Sequence, residues 1–258
     1  MPRYCTLEYL SPTKSDSRIL IKVIRVCEQF NYRNHRQELH LILGDENDYK
    51  IEASIDQDLI SSLGPKFKEG EWNYVKFFNV VNAFGSFRNT INYHFINMNA
   101  DTVVDKTFQI NPKHMMDFMP FDAIIRGNFP TKYSIDLIGV IIYVDDDLST
   151  DIDDPYEMIF GPSHKLDIQI RDMNYNDMDI ELIGKTALDF WKKWEDIGTY
   201  ETVLTLRMFR LTYDSEGRYR IRNAGDHSEI LFNPHIKEVS DFLDWLPFTD
   251  IHGDPSWP

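Results

Sequence analysis

Apolar and polar residues alternate with a period of two along most of the chain, which is the signature of half-buried strands. Residues 18–26, RILIKVIRV, place Ile19, Ile21 and Val23 on one face and Leu20 and Lys22 on the other. The β-branched residues that dominate this stretch favour a pleated, extended backbone. ELHLIL at 38–43 and YKIEASI at 49–55 flank Gly-Asp-Glu-Asn-Asp and predict two strands joined by a tight turn. DQDLISSL at 56–63 has room for about two helical turns before Gly64-Pro65 stops it. WNYVKFFNV at 72–80 and FRNTINYHFI at 87–96 predict two further strands around Ala83-Phe84-Gly85-Ser86.

The second half repeats the plan. SIDLIGVIIYV (134–144), KLDIQIRDM (165–173) and MDIELIG (178–184) read as strands, and KTALDFWKKW (185–194) reads as an amphipathic helix with Ala187, Phe190, Trp191 and Trp194 on its apolar face. TVLTLRMFRLTY (202–213) and RYRIR (218–222) supply the last pair, with Asp214-Ser215-Glu216-Gly217 as the turn. Five strands with a short helix after the third is the inventory of an oligonucleotide-binding (OB) barrel. ELHLILGDENDYKIEASI and KLDIQIRDMNYNDMDIELI are weakly alike at a spacing of 127 residues, which points to a duplicated domain. The expected fold is therefore all-β: two tandem five-stranded OB barrels with short helices. Residues 1–105 form the first, 106–121 a linker, and 122–258 the second with a C-terminal helix.

At 258 residues, with 42% hydrophobic and 27% charged residues, the chain has material for two packed cores. Its net charge of -15 argues at first against a polyanion partner. The charge is uneven, however. Up to residue 110 there are 13 Lys and Arg against 14 Asp and Glu, which leaves 14 against 28 of the totals of 27 and 42 for the rest. Arg18, Lys22, Arg25, Arg33 and Arg36 face only Glu28 between residues 18 and 36, whereas Asp145, Asp146, Asp147, Asp151, Asp153, Asp154 and Glu157 run without a Lys or Arg among them. Such a run reads as a solvated loop. Cys5 and Cys27 offer neither a disulfide framework nor a zinc ribbon, and no export signal or apolar run of membrane-spanning length is visible.

KFKEGEWNYVKFFNVVNAFGSFRNT at 66–90, the opening LEYLSPTKSDSRILIKVIRVCE at 7–28 and the ending ILFNPHIKEVSDFL at 230–243 resemble plant replication protein A large-subunit-like proteins, over roughly residues 7–246. With two cysteines, the chain reads as a short, two-OB form of that family. The resemblance implies single-stranded DNA binding by stacking aromatics and basic loops. It places the hairpin aromatic of the first fold on Phe87, beside Arg88 and with Phe84 at the turn, and it matches basic positions to Arg33, Arg36 and Arg210. The hairpin aromatic of the second fold falls on Tyr213 or Tyr219. The other two stacking positions fall on Asp56 and Ile183, which cannot stack, and this lowers the expected affinity by roughly 2 to 6 kcal/mol.

The residues support the same reading by themselves. FNYRNHR (30–36) combines two aromatics with basic charge in the loop where OB folds contact ligand, and Arg218, Arg220 and Arg222 share one strand face. Trp191 and Trp194 belong to the core, and Cys27 reads as a small buried hydrophobe. No HExxH, GxSxG or phosphate-loop pattern is present, and consecutive Asp residues lack the spacing of a calcium loop. The expectation is a non-enzymatic protein without cofactor or metal, acting in the nucleus on single-stranded DNA in replication, repair or recombination. Its expected partners are other replication protein A subunits or a basic protein, with no membrane. The alternative is a protein-interaction module whose acidic loop holds a basic partner or mimics DNA.

Overall fold

The structure, a computed structural model, describes residues 4–13, 17–31, 35–110, 113–127, 129, 131–151, 163–197, 201–213 and 216–246. The chain divides into two compact units, residues 1–115 and 116–258. Among the described residues no helix is long and apolar enough to cross a membrane.

The first unit is built from β1 (Arg18–Asn31), β2 (Arg36–Gly44), β3 (Lys50–Asp56), helix α1 (Gln57–Leu63), β4 (Trp72–Lys76), β5 (Asn79–Asn82), β6 (His94–Asn97) and β7 (Val103–Lys106). Its sheet runs β5-β6-β3-β2-β1-β4-β7, and β3 and β6 pair in parallel. β1 serves two neighbours. Arg18–Lys22 pair with β4 and Lys22–Asn31 with β2, with a bulge between Val23 and Arg25 that bends the strand so the sheet can curl. The strands β4 and β5, near opposite ends of the sheet, are consecutive in the chain and separated by Phe77 and Phe78, where Phe77 takes a left-handed φ of 60° and Phe78 turns inward. The sequence predicts one continuous strand there. The core is the alternating set Ile19, Ile21, Val23, Leu39, Leu41, Leu43, Ile51, Ala53 and Ile55, with Val75, Phe78 and Ile96 from the later strands.

FRNTINYHFI, expected as a strand from residue 87, is a strand only from His94 onward; residues 83–93 form a loop. The linker expected at 106–121 also carries structure. β7 pairs Lys106 with Asn73, Lys113 forms an ion pair with Asp48 at 2.6 Å, and Met115 is buried in the first unit. From Met116 the chain belongs to the second unit, where Phe118 bridges to Asp136.

The second unit comprises α2 (Phe121–Ile125), β8 (Ser134–Val144), β9 (Ser149–Asp151), β10 (Ser163–Arg171), β11 (Asp177–Ile183), α3 (Lys185–Ile197), β12 (Val203–Tyr213), β13 (Tyr219–Asn223), β14 (Glu229–Phe232) and α4 (Lys237–Trp245). Five strands close into a ring, β8-β10-β11-β13-β12 and back to β8, with β11 and β13 parallel. β14 adds to β12, and β9, which lies within the acidic run, adds to β10. Gly139 lets β10 approach β8 closely, since a Cβ there would lie 2.9 Å from the Arg171 carbonyl oxygen. Buried Asp136 accepts from the Met208 amide at 2.9 Å and the Asp117 amide at 3.0 Å, which fixes a bulge in β12 where Met208 has a φ of 57°. Phe190 of α3 is buried in the barrel core, with Trp191 and Trp194 packed against it as expected; α4 covers a separate apolar patch around Val140 and Val203 through Val239 and Phe242.

Candidate nucleic-acid interface

In the first unit, alternation that buries Leu39, Leu41, Ile51, Ala53 and Ile55 turns Glu38, His40, Glu52, Ser54 and Asp56 to the outer face of β2 and β3. The parallel register with β6 sets Phe95 beside Glu52 and Asn97 beside Ser54 on that same face. The loop at 83–93 closes over one end of it.

Glu52 explains why that loop is not a strand. The residue is 7% exposed, and its Oε1 accepts from the amides of Asn89 and Thr90, both at 3.1 Å. The Arg88 guanidinium lies 3.8 Å away, and His40 Nε2 lies 3.8 Å from the other carboxylate oxygen. Burial pushes the Glu52 carboxyl above its ordinary range, and the two amides and Arg88 only partly offset this. Backbone groups that a hairpin would have spent on a neighbouring strand are spent here on a carboxylate. Arg88 also donates to the Asn92 carbonyl, and Asn92 in turn bonds the Lys50 carbonyl and the His94 amide. Arg88, expected to reach DNA, is 5% exposed and holds the loop in shape.

That internal wiring leaves the loop aromatics facing outward. Phe84 is 66% and Tyr93 82% exposed, while Phe87 is half-buried. Ring centroids of Phe84 and Phe95 are 6.3 Å apart and those of Phe95 and His40 5.6 Å, so Phe84 of the loop and Phe95 of β6 lie side by side, backed by the buried His40 of β2. Arg36 bonds Asp58 at 2.6 Å and faces Asp56 at 3.1 Å, while Arg33 lies outside the described residues. Asp56, where the resemblance implies a stacking position, caps α1 by accepting from the Asp58 amide.

In the second unit a groove of about 550 Å³ opens on the outer faces of β10, β11 and β13, with Tyr143, Gln169, Asp179, Tyr219 and Arg220 in its walls. Glu181, mid-strand in β11, draws in Lys165 at 3.4 Å, Arg220 at 3.6 Å and Arg222. Burial pulls the Lys165 ammonium down, but its hydrogen bond to Asp167 and the charges of Asp167 and Glu181 raise it on balance above its ordinary range. Of the two candidate hairpin tyrosines, Tyr219 lines the groove and Tyr213, opposite it in the hairpin, is exposed outside the wall. Burial, then the Asp179 and Asp177 charges, push the Tyr219 phenol up. Arg210 is exposed and sits opposite Arg222, and Arg218 pairs with Glu216 at 3.1 Å. Ile183 ends β11, its amide bonded to Asn223.

Phe95, Tyr93 and Tyr143 are site residues that the sequence pattern does not single out. Tyr143 was legible in principle, because it sits in an apolar strand just before core Val144. Phe95 was not, because its face is decided by pairing with a strand about forty residues earlier.

Residues 8–127 match the model of a family described as a domain of unknown function, DUF223. No curated protein matches the chain. Among solved structures, a replication protein A heterotrimer bound to single-stranded DNA is similar over 95% of this chain at 20% identity, with a TM-score of 0.65. The present chain spans about 55% of the length of that one. DNA-binding domain A of S. cerevisiae replication protein A matches 42% of the chain and 96% of its own length at 22% identity, with a TM-score of 0.34. Fission yeast Pot1 with single-stranded DNA matches 95% and 93% of the two chains at 7% identity, with a TM-score of 0.35. The fold is that of OB domains, of the kind found in replication protein A.

Proposed function

We propose that this protein binds single-stranded DNA, without catalysis, on the outer faces of its OB folds. The observation that carries the reading is the row formed by Phe84 and Phe95, with Tyr93 exposed on the same loop as Phe84, on the strand and loop with which OB folds hold oligonucleotides. Aromatic faces stack on any base for roughly 1 to 3 kcal/mol each, so such a row accepts a single strand without reading its sequence. The resemblance of sequence and of fold to replication protein A, one such structure being bound to single-stranded DNA, supports the same ligand. On that resemblance the setting is DNA replication, repair or recombination in the nucleus, with other subunits of a replication-protein-A-type assembly as partners.

Fluorescence anisotropy with a labelled oligo-dT of about 30 nucleotides tests this. Binding at low salt is expected, and Phe84→Ala with Phe95→Ala together should weaken it by about 2 kcal/mol or more, roughly 30-fold. Absence of binding at low salt overturns the reading.

A second reading, an interaction module for a basic protein, draws support from the same faces, where Arg36, Arg88, Arg220 and Arg222 already face carboxylates of the chain itself. It predicts that deleting residues 145–157 abolishes capture of a Lys- and Arg-rich peptide. Capture that survives the deletion removes this alternative.

A further inference from the structure

The groove of the second unit has an acid at its centre, which a surface built for a polyanion does not call for. Glu181 Oε2 lies 3.4 Å from Lys165 Nζ and 3.6 Å from Arg220, and its Oε1 is bonded by Arg222. The three cations come from β10 and β13, the strands on either side of β11. Register makes this convergence unavoidable, because Glu181 stands directly across from Arg222 on one side and from Asp167, the ion-pair partner of Lys165, on the other. A carboxylate held by a fork of guanidinium and ammonium groups has the recognition geometry of a bound phosphate. Tyr143 and Tyr219 stand in the same groove, where a base could lie next to that point.

We propose that Glu181 is an internal counter-anion that occupies the place of a backbone phosphate, so that a single strand enters the second unit's groove by displacing it from Lys165, Arg220 and Arg222. The inference rests on the single-stranded DNA reading and names what limits affinity at one of its faces. Glu181 keeps the cations aligned in the free protein, and the incoming phosphate exchanges one ion-pair partner for another. Asp179 provides the internal comparison. It lines the same groove and carries the same charge, but its carboxylate is held by the Gln169 amide at 2.8 Å.

Glu181→Gln keeps the shape and one acceptor oxygen while removing the charge. Anisotropy titrations of the full chain with oligo-dT should show at least a fivefold gain in affinity. The slope of log K against log salt should steepen by roughly 0.7 for each additional phosphate that the freed cations neutralise. Asp179→Asn, with the same change in net charge, should give a clearly smaller gain. Equal gains for the two variants overturn the proposal, because they reduce it to general electrostatics. So does an unchanged or weakened Glu181→Gln when the wild type binds, and that result leaves the DNA reading standing. No binding by either protein overturns both. Circular dichroism melting checks folding, and Glu181→Thr, a residue suited to a strand, takes the place of the Gln variant if that one unfolds.

Discussion

Among the described residues of the first unit, burial raises the carboxyls of Glu52 and Asp45 above their ordinary range, and the backbone amides that bond them offset this only in part. A carboxyl whose folded-state pKa exceeds its unfolded value makes the native state bind more protons than the unfolded one. Stability is then greatest below the unfolded value, near pH 4.3 for Glu, and falls as pH rises toward the folded value. Glu52→Gln retains an acceptor for Asn89 and Thr90 and abolishes the titration, so its curve of urea midpoint against pH should be flatter than wild type between pH 4 and 8. The attraction of Arg88 acts only on the ionised carboxylate and is already contained in the net upward shift, so it adds no separate pH-dependent contribution. A variant curve parallel to wild type would show that Glu52 titrates as it does in the unfolded chain. The same residue shows why the role of Arg88 is hidden in the sequence: beside Phe87 it looks like a ligand-facing cation, and only a buried acid thirty-six positions earlier makes it an internal strut.

Most strands were legible because alternation of β-branched residues survives along them, as in β8, expected and found at residues 134–144. The bulges left a trace in the same pattern. Core positions stand three apart, not two, at Val75 and Phe78, at Ile141 and Val144, and at Leu206 and Phe209, and a break or register shift falls within each interval. Other departures have other causes. Residues 87–93 lose their strand to Glu52, β7 forms at Val103–Lys106 where no alternation predicts a strand, and β9 pairs part of an acidic run with β10. Helix α1 ties element to site. Asp56 both caps it and pairs with Arg36, two local roles that suit an acid at this position. Asp56→Ala should destabilise the protein by about 0.5 to 2 kcal/mol in chemical denaturation, and Asp56→Asn should recover most of that, since Asn is as good a cap as Asp. Equal losses in both variants would assign the effect to the Arg36 pair instead.

Across the whole molecule, the charge of -15 is less informative than where each cation is committed. Arg36, Arg88, Lys165, Arg218, Arg220 and Arg222 all face carboxylates of this chain within 4 Å, so each must exchange a partner to meet a phosphate. Binding should then draw more on stacking than on counterion release. If about four cations engage phosphates in the complex, the slope of log K against log salt for single-stranded DNA is about -3. Phe84→Ala should lower affinity at every salt concentration and leave that slope unchanged, because a ring contributes no counterion release. Titrations from about 50 to 300 mM salt separate the two contributions. A slope of about -4 or steeper would mean that all six of these ion pairs open on binding, and the weight of recognition would move from the aromatic row of the first unit to the basic strands of the second.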